Sequence, residues 1–260
     1  MKILRALADA HRRRQEALSR VLRTEYLTAW ARHQAVTPDP ESERAWSATV
    51  GRIVHTYGLA SASLAADYYD EARRAADVKG SFTATVAAPP PVAQITAARS
   101  AVRRTAASRP RDEDGAEAVE AWRRTQQERD LAAVQRLAAQ AGRRTIEQAT
   151  RADPEAVGWV RVTGGNCCAF CALLAIRGLL YGDRKRAVST SSGDPYHDRC
   201  ACSAEPVFRG RASEDEPQVA EWEELYYDAS HGVYGTEKLR AFRRAFDAKY
   251  GRGRGPGQAA

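Results

Sequence analysis

All five cysteines of this 260-residue chain fall between positions 167 and 202, in the stretch CCAFCALLAIRGLLYGDRKRAVSTSSGDPYHDRCAC. The first 166 residues contain none. Within the stretch, Cys168-x2-Cys171 is followed, after 25 residues, by His197-x2-Cys200-x-Cys202. A CxxC knuckle lets two thiolates reach one ion from a tight turn, and a second cluster completes a tetrahedral shell; this is how structural zinc is held. Gly164, Gly165 and Asn166 precede the knuckle, and such small residues let the backbone turn beneath an ion.

Three other chemistries compete for these thiols. A strand, a turn and CxxC at a helix start is also the thioredoxin-like redox arrangement, but that motif needs no second cluster and comes with a repeated βαβ pattern absent here. Lasting disulfides are uncommon in a reducing cytoplasm. Cysteines that merely pack as small hydrophobes would be scattered along the chain. A catalytic zinc would need an open position and a general base. Asp194, Asp198 and Glu205 are near in sequence, yet none stands in the HxE…PCxxC frame of zinc deaminases. A closed structural Zn²⁺ is therefore the favoured reading. Six residues contend for about four places. Cys168 and Cys171 are the strongest, and Cys167 would point away from that pair. Cys200 and Cys202 together would make a four-cysteine site, in which His197 can replace either one.

The elements that must position these residues form a mainly α protein with a small α+β module toward its C-terminus. Residues 1–150 read as a helical bundle. Leu7, Leu18, Val21, Leu22 and Trp30 trace a first helical stripe that stops at TPDP. Trp46, Val50, Ile53, Tyr57, Leu64 and Tyr68 trace a second, expected to pack on the first as an antiparallel hairpin. GSFTATVAAPPP then makes an extended linker at about 80–92. A shorter helix follows from about Ile95 to Ala107, then the polar patch SRPRDEDG. A long helix from about Ala116 to Ala149 carries Val119, Trp122, Leu131, Val134, Leu137 and Ala141 on its buried side.

After Asp153-Pro154, residues 155–210 form the Cys/His module. GWVRVTGG, alternating Val160, Arg161 and Val162, reads as a strand ending in a turn; CACSAEPVF reads as a second, with Cys200, Cys202 and Ala204 on one face. ALLAIRG between them makes one or two helical turns, and GDRKRAVSTSSGDP a polar loop. The tail, 211–250, holds one helix after Pro217 with Val219, Trp222 and Leu225, and another with Leu239, Phe242, Phe246 and Tyr250. The basic end 251–260, GRGRGPGQAA, is expected to be disordered.

The composition, 43% hydrophobic and 28% charged, is that of a soluble globular chain. The longest apolar run, Cys167 to Ile176, is about half of the roughly 20 residues a membrane helix needs, so no span is expected. The start MKILRALADAHRRR lacks the apolar region of a secretory signal, which implies a cytoplasmic setting. A net charge of +7 permits contact with nucleic acid or an acidic protein surface. Most Arg residues, however, stand near Glu or Asp in helical segments such as EAWRRTQQERD, as on a solvated helix face. Only RKR at 184–186 offers a basic group beside the knuckle, and its loop context argues against a DNA-reading helix.

The series GWVRVTGGNCCAFCALLAIRGLLY and YHDRCACSAEPVF resembles the C-terminal module of Mu F-like minor head proteins of actinobacterial tailed phages. VHTYGLASASLAADYYDEAR resembles the helical part before it, so the likeness spans most of residues 40–210. That family is marked by a CxxC knuckle followed by an H-x2-C-x-C cluster, which Cys168, Cys171, His197, Cys200 and Cys202 occupy here; these five are the candidate ligands of the structural Zn²⁺. The resemblance also implies a virion or procapsid component acting beside the portal during head assembly; portal or capsid proteins are the expected partners, and the charge and hydropathy patterns add at most weak, nonspecific DNA contact and no membrane. Such a protein is made in the host cytoplasm and ends in the virion. Cys167 departs from the family pattern and reads as a tolerated substitution. Some relatives carry a capsid maturation protease, which makes an enzyme, whether that protease or a zinc-dependent nucleic-acid enzyme, the alternative. No catalytic residues are assigned here: Ser61, Ser63 and His55 lie on a helical stripe with no nucleophile turn around them.

Overall fold

The computed structural model describes residues 2–36, 39–104, 110–111, 115–163, 167–176, 196–198, 200, 202–210 and 217–251. Among these the protein is mainly helical, with a two-stranded antiparallel sheet. The order is α1 (Lys2–Gln34), α2 (Pro40–Ala75), α3 (Val92–Arg104), α4 (Ala116–Ala152), β1 (Ala156–Val162), α5 (Ala169–Ile176), β2 (Ser203–Phe208), α6 (Pro217–Ser230) and α7 (Glu237–Tyr250). Local chemistry sets several of these limits. Asp39 caps α2, its carboxylate accepting from the backbone N–H of Glu41 at 2.9 Å and Ser42 at 2.7 Å. Pro40 then occupies the first helical position, where its missing N–H costs nothing.

The chain divides into two compact units. The first comprises Arg13–Ala66 and Thr85–Thr145. Its core joins Leu22 and Tyr26 of α1, Trp46, Val50, Ile53, Val54 and Tyr57 of α2, Ile95 of α3, and Leu131, Val134 and Leu137 of α4. α1 and α2 run antiparallel, as the stripes require: Trp30 packs edge-on against Trp46, and the Tyr57 hydroxyl donates to Glu25 at 2.7 Å. Not every stripe residue is used. Val21 is 58% exposed, and the centre of the core is Tyr26, fully buried. Val21 loses its place because Leu22 and Tyr26, one helical turn apart, already fill the face toward α2 and α4.

α2 and α4 approach closely at Gly142. A Cβ built there would stand 2.8 Å from the Ser61 carbonyl oxygen, a rigid backbone atom. Gly142→Ala should therefore destabilise the chain by about 1–3 kcal/mol despite alanine's better helix propensity. Urea unfolding checks this, and an unchanged or raised midpoint would refute it. Ser61 is committed to the same contact: its hydroxyl donates to Gln15 Oε1 at 2.8 Å, and its carbonyl accepts from Gln15 Nε2 at 2.9 Å.

The second unit comprises Met1–Arg12, Asp67–Ala84 and Ile146–Ala260. Asp153, at the end of α4, organises it. Its buried carboxylate accepts from Arg73 Nε at 2.9 Å and from the Tyr69 hydroxyl at 3.1 Å. The same guanidinium reaches the carbonyls of Lys79 at 2.7 Å and Gly80 at 2.8 Å, so one side chain closes the end of α2 and holds the chain that leaves it. The segment between α2 and α3 is extended but not free. Ala84 N–H donates to Asp70 in this unit, and in the first unit Ala87 N–H donates to Thr145 while Pro89 packs on Gly58.

β1 and β2 pair in register Trp159↔Pro206, Arg161↔Ala204 and Val162↔Ser203, with a bulge that leaves Val157 extra and exposed. β2 begins at Ser203, so Cys200 and Cys202 precede the strand instead of lying in it. A turn closed by Cys200 N–H to the His197 carbonyl at 3.1 Å bends the chain just before pairing starts. α5 packs with α6 and α7 around Trp222, Phe242 and Phe246, and this core also takes in Cys167, Cys171, Tyr196 and Cys202. Leu239, placed on the tail stripe by its spacing, is 41% exposed. The turn expected at 164–166, the polar loop expected over GDRKRAVSTSSGDP with its RKR, most of the SRPRDEDG patch, and the end at 252–260 lie outside the described residues.

Candidate metal centre

The two half-sites meet where β1, α5 and the approach to β2 converge. Cys168 and Cys171 stand at the start of α5, one helical turn apart, which turns both thiols to the same side. His197 comes from the other half: its Nε2 lies 3.0 Å from Cys168 Sγ and 3.3 Å from Cys171 Sγ. Cys200 Sγ is 3.6 Å from Cys171 Sγ. Among the described residues two groups of donors gather, Cys168–Cys171–His197 and Cys171–Cys200–Cys202, with the donor atoms of each within 4.8 Å of one another. Cys171 belongs to both.

These separations suit a tetrahedral ion. Bonds of about 2.3 Å to sulfur and about 2.0 Å to nitrogen place such donors roughly 3.5–3.8 Å apart. These three spacings lie within about half an ångström of that, whereas the two groups share only Cys171 and are not all within 4.8 Å of one another, so the two ends would have to draw together to share one ion. The imidazole is already turned for the task. Its Nδ1 donates to the Asp198 carbonyl at 2.6 Å, which directs Nε2 at the thiols. The five cysteines are all free thiols. The cluster can hold a metal ion.

Without an ion the electrostatics already separate the donors. The Cys168 thiol is pulled down to about 4 by its hydrogen bond from Cys171 and by His197. His197 is raised to about 9, chiefly by its bond to Cys168. Cys171, tied to Cys168, Cys200 and Cys202, is held far above the ordinary thiol range. These contacts thus favour the thiolate at Cys168 and the imidazolium at His197, and disfavour ionisation of Cys171.

All five candidate ligands come together, although no single group within 4.8 Å includes them all. Cys167 is buried and turns its thiol to the Cys168 carbonyl, 3.3 Å away, outside both groups. Asp198 offers the cluster its backbone carbonyl, through His197. Spacing arguments missed Arg161 and Tyr196. Alternation of Val160, Arg161 and Val162 suggests an arginine facing solvent, yet Arg161 is 3% exposed. Its guanidinium lies over the Tyr196 ring, 4.2 Å from the centroid, and Nη1 is 4.0 Å from Cys200 Sγ. A strand-borne arginine beside a thiol cluster is the signal that could have marked it.

This is a mainly helical protein whose second unit contains a Cys/His cluster able to hold a metal ion. The VG15 protein family matches residues 2–229, and the chain belongs to that phage-associated family. No curated protein and no solved structure was found to match it. No helix among the described residues is long and apolar enough to cross a membrane.

Proposed function

We propose that this phage protein is a minor capsid protein of the Mu F-like kind, acting near the portal during head morphogenesis, with one structural zinc in its Cys/His cluster. The observation that carries the zinc is the convergence of Cys168, Cys171, His197 and Cys200 from two segments 25 residues apart. An ion there would close that long connection and tie the start of α5 to the start of β2. Burial of Cys171 and Cys202 supports a closed, structural site over an open catalytic one.

Membership in a phage-associated family supports the assembly role, and the charged outer face of α7 supports docking. Arg240, Arg243 and Arg244 expose most of their side chains there, alongside Glu237. Such a face would meet an acidic or mixed-charge portal or capsid surface in a salt-sensitive way, with only weak and sequence-indifferent DNA contact. The chain itself then carries no reaction. Purified under reducing conditions, it should hold about one Zn²⁺ per chain. It should also co-purify with procapsids at low copy number and leave portal as salt rises. A folded sample without zinc would remove the metal. Turnover of a capsid precursor by the purified chain would replace the docking role with the protease.

A further inference from the structure

The Cys/His cluster has two unlike ends. His197 meets the thiols of Cys168 and Cys171, whereas the end formed by Cys171, Cys200 and Cys202 faces a buried cation, Arg161. The register explains how an arginine gets there. Arg161 pairs with Ala204 on β2, and Cys202 comes just before that strand. From that position the guanidinium reaches the cluster, with Nη1 at 4.0 Å from Cys200 Sγ. Tyr196, next to His197, then supplies an aromatic face at 4.2 Å for that guanidinium to lie against. A charge is not buried to this depth without something to balance it.

We infer that Arg161 is the built-in counter-charge of the metal centre, an outer positioning residue that stabilises a shell of three thiolates and His197 around a divalent ion. This rests on the metal reading above. Three thiolates, a neutral imidazole and a divalent ion carry one net negative charge, which a single guanidinium cancels. Four thiolates around a divalent ion would carry two net negative charges, one more than Arg161 cancels. Charge balance therefore makes His197 a ligand, a choice that its spacing in the sequence leaves open. N–H···S contact from Nη1 to Cys200 also draws electron density from that sulfur and holds its orientation, as outer partners of metal ligands do.

The test uses the full chain, with cobalt(II) and zinc as probes and a chromophoric chelator as competitor. Arg161→Met, which keeps length and loses charge, should weaken metal binding about 10–100-fold, and Arg161→Lys should recover most of the loss. The cobalt-loaded wild type should show charge-transfer absorption for three thiolates, with a ligand field of three sulfurs and one nitrogen, and His197→Ala should change that field. Because Arg161→Met can also loosen β1, affinity is compared with Arg161→Lys and with Val160→Ala, which perturbs the same strand without touching the cluster; Val160→Ala should retain wild-type affinity. Equal affinity of Arg161→Met and wild type would overturn the counter-charge role, as would a loss that Lys does not recover or that Val160→Ala shares. A four-thiolate spectrum unaffected by His197→Ala would overturn the ligand set. A wild type that binds neither metal would instead refute the metal reading, so the two failures are distinguishable.

Discussion

Cys171→Ser is expected to abolish stable metal binding and to melt the region around β1, α5 and β2, while Cys167→Ser leaves both intact. The two thiols are both buried and lie four positions apart, so burial and composition do not distinguish them. Position does. Cys171 belongs to both donor groups, 3.3 Å from His197 Nε2 and 3.6 Å from Cys200 Sγ, whereas Cys167 faces a backbone carbonyl. Removing the shared donor breaks the link between the knuckle and the residues leading into β2. The affinity loss should therefore exceed the roughly 10–100-fold typical of an outer partner. Metal binding to such a module is coupled to its folding, so the loss should reach structure as well. Elemental analysis and hydrogen exchange of residues 156–208 measure the two effects. Retention of one zinc by Cys171→Ser, or its loss from Cys167→Ser, would show that the ion is held elsewhere. α5 also packs on Trp222, Phe242 and Phe246, so α6 and α7 should lose less protection than β2 does.

The second large effect is expected at Asp130, where alanine should cost about 3–5 kcal/mol. Asp130 is buried in the first unit between three elements. Arg99 of α3 forks onto it, with Nε at 2.9 Å from Oδ1 and Nη2 at 3.1 Å from Oδ2, and the Tyr26 hydroxyl of α1 donates to Oδ2 at 2.9 Å. The guanidinium also lies 5.4 Å from the Trp46 ring of α2. Burial and the facing carboxylate both hold the Tyr26 phenol well above its ordinary range, so it stays a donor. Truncating Asp130 strands a buried cation and a buried hydroxyl together, and that uncompensated charge makes the cost large. The pair itself need not be worth as much. Asp130→Leu combined with Arg99→Met should be far less destabilising than Asp130→Ala alone. Urea unfolding of these variants decides the matter, and a cost below about 1 kcal/mol for Asp130→Ala would mean that water reaches the site.

Much of the helical architecture was legible because one period governs it. Trp46, Val50, Ile53, Tyr57 and Tyr68 recur at helical spacing and are all buried, and α2 runs through them without interruption. Breakers were equally readable: TPDP separates α1 from α2, and Asp153-Pro154 separates α4 from β1. The knuckle and the later Cys/His group announced themselves by spacing, since donors three apart at a helix start must share a side. Errors arose where several partners compete for one helix face. Val21 and Leu239 have the right period and remain exposed, because which stripe residue is covered depends on the helices that arrive against it.

By itself, then, the chain determined a mainly helical protein with one thiol-rich module, because periodicity and ligand spacing are properties of near neighbours. Only the tertiary structure decided that Cys171 stands at the centre of the cluster and that Arg161 is buried against it. It also decided that Tyr26, Arg99 and Asp130 form one buried network. These partners are brought together across 26 to 104 residues of chain, by how helices and strands pack. No local pattern encodes that, because the free energy that selects such a meeting comes from burying groups whose separation in sequence is arbitrary.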